Sequence, residues 1–273
     1  MVSGRIMTGL ASLDELMGGF GPGELILIAA HSSHGKTAMA KDIVLHAAMH
    51  AKHRTPTAFF CLEISKDSML TWFLLSETGI NLSDRVPRGK WKELEGISTG
   101  LSGAPVYIDD ASGLTAQEVE SRCQKLVTEI PDLGLVVLDY LQLLRGEPRG
   151  SHRRDEIGQI TRDLKALAVH LDVPIVLFSR LPSPPRRPTI EDIDEVGIPR
   201  ENIDSVVLLY RRASGVRHDS KGRRIQKKDS TIQPIEEAEA IVVKNTRGET
   251  GVARVRFNPN IARFESLPEG LTH

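Results

Sequence analysis

Apolar positions along this chain follow two alternating rhythms. Short runs that are apolar almost throughout, many of them β-branched, occupy residues 24–30, 57–63, 106–108, 133–139, 174–179 and 205–210, and each is expected to form a strand. Between them, apolar residues recur at helical spacing. Ala40, Ile43, Val44, Ala47, Ala48 and Ala51 make one stripe, and Ile157, Ile160, Leu164, Leu167, Ala168 and Leu171 make another. A third, Val119, Cys123, Leu126 and Val127, follows Thr115-x-x-Glu118, the pattern of a capping box.

Runs such as LGLVVLD and PIVLFS lack polar alternation, so both of their faces must be covered. With helices between them, they predict an α/β fold: a mainly parallel, twisted sheet with helices on both faces. The pattern changes after Tyr210. Residues 211–230 are polar, mostly basic and aperiodic, and a mobile polar insertion is expected over 211–238. AEAIVVKN, TRGETG and VARVRF then read as a C-terminal antiparallel hairpin on the sheet edge. No internal repeat interrupts this order, and the 273 residues are expected to form one domain, 1–273.

Charge narrows the function classes. Thirty-five Lys and Arg against 36 Asp and Glu leave a net charge of −1, so nucleic acid would have to meet a local patch rather than a global basic field. Aromatic residues make up only 4%, which weakens any mechanism that stacks many bases. Cys61 and Cys123 have no metal or redox spacing and sit at apolar positions, as core cysteines do. No apolar segment is long enough for a signal peptide or a membrane span, so the expected location is cytoplasmic, a host's cytoplasm included, with no membrane partner.

The sharpest chemistry lies between the first strand and the first helix. Ala30-His31-Ser32-Ser33-His34-Gly35-Lys36-Thr37-Ala38 ends as a nucleotide-binding loop does and stands in the required strand–loop–helix context. Loop amides and the helix N-terminus would cradle phosphate, with Lys36 reaching the β- and γ-phosphates and Thr37 holding Mg²⁺. Alanine at position 30 is tolerated because that position only ends a strand. His31 and His34 are expected at the loop surface rather than on a metal. ATP with Mg²⁺ is therefore the expected ligand. Asp139, closing its apolar run, is expected beside the metal, and Glu63, closing another, beside the attacking water. Asp109 and Asp110 end a third run, where a cap or turn role is equally open.

Together, TGLASLDELMGGFGPGELILIAA, FFCLEIS, APVYIDDASGLTAQEV, GLVVLDYLQLL and DLKALAVHLDVPIVLFS resemble the RecA-fold C-terminal motor domain of DnaB-type replicative helicases. The resemblance runs from about Met7 to about Phe264, with the motifs in the family's order, and a loop beginning with alanine is usual there. It implies a RecA-like P-loop ATPase that assembles as a homohexamer or another ring or filament and moves on single-stranded or forked DNA. By that resemblance Lys36, Thr37, Asp139 and Glu63 take the family's phosphate, metal and catalytic-glutamate roles. The family's N-terminal helical domain has no counterpart in this stretch, as in a compact phage- or plasmid-like variant.

Several positions depart from the family's pattern. Arg180 stands where the family has a glutamine that senses the γ-phosphate, and it offers a charge instead of an amide. Asp194-Glu195-Val196-Gly197 replaces an Arg-Glu-Ser-Gly DNA loop, and an aspartate there would repel phosphate. The loop LPSPPRRPT before it is short and proline-rich. Lys244-Asn245-Thr246-Arg247-Gly248 replaces Lys-x-Arg-Asn-Gly, so Lys244 remains while the arginine that would reach a neighbour's ATP moves one place, to Arg247. Candidate DNA contacts are Arg145, Arg149, Arg153 and Arg154 in one loop region and Arg186 and Arg187 in the next. Three functions share this chemistry: a DnaB-like helicase or translocase, a RecA-like DNA-dependent ATPase acting on recombination or branched DNA, and a non-motor ATP-binding regulator of a replicative helicase.

Overall fold

The computed structural model describes residues 4–80, 88–130, 132–146, 152–182, 186–211 and 233–267. In chain order the elements are α1 (Ala11–Met17), β1 (Leu25–Ala30), α2 (Lys36–Leu45), β2 (Thr57–Cys61), α3 (Lys66–Thr78), α4 (Trp91–Ser102), β3 (Val106–Asp109), α5 (Ala116–Glu129), β4 (Leu135–Asp139), α6 (Arg153–Leu171), β5 (Ile175–Arg180), α7 (Glu191–Val196), β6 (Ser205–Arg211), β7 (Glu236–Asn245), β8 (Gly251–Asn258) and β9 (Arg263–Ser266). A π-helical turn, His46–His50, continues α2.

One sheet carries these strands in the order β3-β2-β4-β5-β1-β6-β7-β8-β9. Pairing is parallel from β3 through β6 and antiparallel from there on. The parallel strands are buried on both faces. Ile26, Ile28 and Ala30 face a core with α1 and α2, whereas Leu25, Leu27 and Ala29 face α6. That double burial is why these strands read as unbroken apolar runs. Alternation returns in β8, where Ala253, Val255 and Phe257 are buried between more exposed neighbours.

The sheet extends beyond a hairpin. β9 pairs with β8, and its Phe264 packs on Phe257 with ring centroids 4.8 Å apart. Of the stretch 211–238, Arg211 closes β6 and Glu236 opens β7, while residues 212–232 lie outside the described residues. The capping box is formed: the Thr115 hydroxyl accepts from the Glu118 amide, and the Glu118 carboxylate from the Thr115 amide. Among the described residues no helix is long and apolar enough to cross a membrane.

Candidate functional site

β1 is sealed along its whole length and delivers the chain at Ala30 to the C-terminal ends of the parallel strands, at the middle of the sheet. The loop turns through Ser33 (φ 63°) and Gly35 (φ 94°), and α2 starts on Lys36 without a side-chain cap. Uncapped amides at a helix start are ready donors for an anion. Glycine at 35 answers a steric demand besides its φ, since a Cβ there would lie 2.8 Å from the Phe264 ring. Arg211, which sequence reasoning assigned to the insertion, braces the loop from β6. Its Nη1 donates to the Ser33 carbonyl (3.0 Å) while it pairs with Glu236 (2.7 Å) and covers the Phe257 ring (3.9 Å). His31 is buried rather than at the surface, 2% exposed with neither ring nitrogen bonded among the described residues, and His34 is half-buried beside Tyr210.

Adjacent strands bring the carboxylates to this loop. The Leu62 amide donates to the Asp139 carbonyl (2.9 Å), which keeps the ends of β2 and β4 in step. The Thr37 hydroxyl donates to Glu63 Oε2 (3.3 Å). Asp139 is fully buried, and neither of its carboxylate oxygens has a hydrogen-bond partner among the described residues. Burial, reinforced by the charge of Glu63, pushes its carboxyl up to about 6 against the pull of Thr37 and Lys36. Burial lowers Lys36, opposed by Asp139 and Glu63 and assisted by Arg180, whose positive charge therefore bears on the same site. A sealed, unpartnered carboxylate beside a hydroxyl and a second carboxylate is an oxygen-donor set that fits Mg²⁺.

Apart from Arg180, which is level with Ala30 on the adjacent strand, the remaining candidates fall elsewhere. Arg180 is exposed at the last position of β5. Lys244 donates to the carbonyls of Arg200 (2.7 Å) and Ile203 (2.5 Å), and Arg247, largely exposed, pairs with buried Glu24 (3.1 Å). Asn245 is level with Ser205, and Ser205 with Ile26, so both cations lie toward the opposite end of the strands from Ala30. Arg153 bonds Glu156 and the carbonyls of Gln142 and Leu144, and Arg154 donates to the Asp194 carbonyl. Arg186 grips buried Asp192 through two bonds (3.1 and 2.6 Å), and Arg187 pairs with Glu239 (2.7 Å). The Arg145 side chain passes over Gly113, while Arg149 lies outside the described residues. Asp194 is neutralised by Arg200, which holds its carboxylate below the usual range. Tyr140 and Gln142 also reach the site, although as single polar residues after an apolar run they carried no periodic signal. Tyr140 places its ring 5.6 Å from Lys36 Nζ, and Gln142 bonds the end of β5.

A family model, DnaB-like helicase C terminal domain, matches residues 5–266. Replicative DNA helicase DnaB of Leifsonia xyli subsp. xyli is 31% identical over 271 residues, and that of Geobacillus stearothermophilus 33% over 273; each match covers 96% of this chain and 56% of the relative. The chain thus spans about half the length of the curated relatives it matches. Among solved structures, an ATPase domain has a TM-score of 0.81 at 25% identity, covering 98% of this chain and 94% of the other. A DnaB-like replicative helicase, solved with attention to its interactions with primase, has a TM-score of 0.80 at 25% identity, covering 98% and 65%. The KaiC-like protein PH0186 of Pyrococcus horikoshii, 16% identical with a TM-score of 0.60, covers 97% and 99% and shares the fold.

Proposed function

We propose, from the premise that this chain belongs to the DnaB-like helicase C-terminal domain family, that it binds ATP with Mg²⁺ and hydrolyses it between subunits to move on single-stranded DNA. The observation that carries this reading is Asp139: a buried carboxylate whose oxygens find no hydrogen-bond partner among the described residues is costly, and a bound cation would relieve it.

In this scheme the amides of the 31–36 loop and Lys36 hold the phosphate oxygens. Thr37 and Asp139 would hold Mg²⁺, which would neutralise charge on the phosphates. Glu63 orients the water whose oxygen attacks the γ-phosphorus as the bond to the β-phosphate oxygen breaks. Arg180 meets the γ-phosphate. Lys244 and Arg247 cannot serve their own loop: the ladder separates Asn245 from the level of Ala30 by four residues, roughly 13 Å of strand. They would serve a neighbour's, which is why a ring or filament belongs to the proposal.

The test is ATP hydrolysis with and without single-stranded DNA across a salt series. Wild type should be stimulated, and stimulation should fade as salt screens phosphate contacts. Lys36→Ala should abolish turnover, whereas Glu63→Gln should bind nucleotide and not hydrolyse it. Retained turnover in both variants refutes the site. A second reading, a non-motor regulator, is favoured by the tying of Lys244 to its own backbone. Nucleotide binding without stimulated turnover would establish it instead.

A further inference from the structure

β4 and β5 stay paired only as far as Leu138 and Leu177. Beyond that the chain leaves β4 through Tyr140 into a short 3₁₀ turn, Leu141–Leu143, and the last residues of β5 lose their strand partner on that side. On the other side β5 remains paired with β1 to Ala30 and Arg180, and the Leu181 amide donates to the Ala30 carbonyl (2.8 Å).

The side chain of Gln142 takes the place of the missing strand. Its Oε1 accepts the Arg180 amide (3.1 Å), and its Nε2 donates to the Arg180 carbonyl (3.0 Å) and to the Ser179 hydroxyl (2.9 Å). A carboxamide pairing with one residue's N–H and C=O reproduces a step of parallel ladder, with both groups facing the same side. Few side chains can do this, since the group must accept and donate at once and also reach. The main chain of the same residue faces the next loop region: its carbonyl accepts Arg153 Nη2 (3.1 Å), which also bonds the Leu144 carbonyl (3.1 Å).

We infer that Gln142 is a positioning residue that holds Arg180 at the γ-phosphate and ties that position, through Arg153, to the segment that begins α6. The inference rests on the reading of Arg180 as the group that meets the γ-phosphate. ATP loss at Arg180 would then loosen the amide pair and shift Arg153, whereas DNA acting on the Arg153 region would tighten it.

The test uses the full chain and four readouts: melting temperature, affinity for ATPγS relative to ADP with Mg²⁺, kcat, and the ratio of kcat with and without oligo-dT. Gln142→Leu keeps the side-chain bulk and removes all three side-chain bonds. Gln142→Glu keeps the acceptor and loses the donor, and serves if the leucine variant does not fold. Each is expected to melt within a few degrees of wild type and to lose the preference for ATPγS over ADP. Each should also lower kcat by about tenfold and bring the DNA stimulation ratio close to one. The double variant with Arg180→Ala should be no worse than Arg180→Ala alone, since groups that act as one unit are not additive. If Arg180→Ala lowers kcat and Gln142 variants match wild type, or if the two losses simply add, the Gln142 inference is overturned and the site reading stands. If Arg180→Ala itself turns over like wild type, the role of Arg180 fails, and the inference with it.

Discussion

A carboxyl group that is shut away from water holds its proton more tightly than the same group in an unfolded chain. Asp139 is in that position: burial lifts it from 3.8 to about 6. Between those values the folded chain binds the proton and the unfolded chain does not, so this group's contribution to stability falls as pH rises through the window and stays lost above it. That difference corresponds to about 3 kcal/mol. Asp139→Asn removes the charge while keeping the shape. At pH 8 the nucleotide-free variant should melt a few degrees above wild type, and its melting temperature should vary less between pH 4 and 6 than the parent's. Its Mg²⁺-dependent turnover should be lost. An Asn variant that melts below wild type at pH 8 would mean the charge is already compensated. Stability traded against chemistry at one side chain is a usual mark of a working site.

Behind the phosphate loop, α2 is fastened by charges rather than by apolar contact alone. Lys41 is wholly buried, with Nζ 2.7 Å from Asp42 Oδ1 and 2.5 Å from Ser76 Oγ, and Asp42 Oδ2 accepts the Phe264 amide (2.7 Å). The cluster joins α2 to α3 and to β9, which also supplies the ring against Gly35. Asp42→Ala would leave the Lys41 ammonium and the Phe264 amide without this partner. Urea unfolding should then show a loss of about 3–5 kcal/mol, with nucleotide affinity falling alongside; an unchanged midpoint would mean the pair contributes nothing net. None of this was legible in the sequence, because Ser76 and Phe264 lie 35 and 222 residues from Lys41 and Asp42. The doubly covered strands were legible, since burial on both faces leaves an unbroken apolar run. So were α5 and α6, each with a regular stripe. α4 left no such trace because none of its residues is buried, and α3 mixes Ser76 and Thr78 into its buried face. The loop residues 30–38 and the carboxylates could be read because their spacing is local. Gln142 and Arg211 could not, because their roles depend on Arg180 and Ser33, brought near only by the fold.

At the scale of the molecule, the two halves of the proposed catalytic set lie toward opposite ends of the strands. The loop of Lys36 follows the end of β1, whereas Lys244 is level with Val206 near the start of β6 and Arg247 lies past Asn245, the last residue of β7. The ladder between β6 and β7 is irregular just there: Val206 pairs with Lys244 and Val207 with Val242, which leaves Val243 bulged. A bulge re-aims the residues that follow it, so the arginine's place in the sequence does not by itself decide where its guanidinium points. Arg247 rests on Glu24 and is two-thirds exposed, so that ion pair is a weak restraint that a neighbouring subunit's phosphates can outcompete. On the proposed scheme, Lys36→Ala and Arg247→Ala would disable different subunits' contributions to one interface. Each variant alone should hydrolyse little ATP, and Arg247→Ala should keep near wild-type nucleotide affinity. Mixed in equal amounts and allowed to exchange subunits, they should recover turnover, because some interfaces then join an intact loop to an intact arginine. Recovery should depend on total protein concentration, as assembly does. A mixture no more active than its components would place Arg247 outside the reaction and leave each chain to complete its site alone.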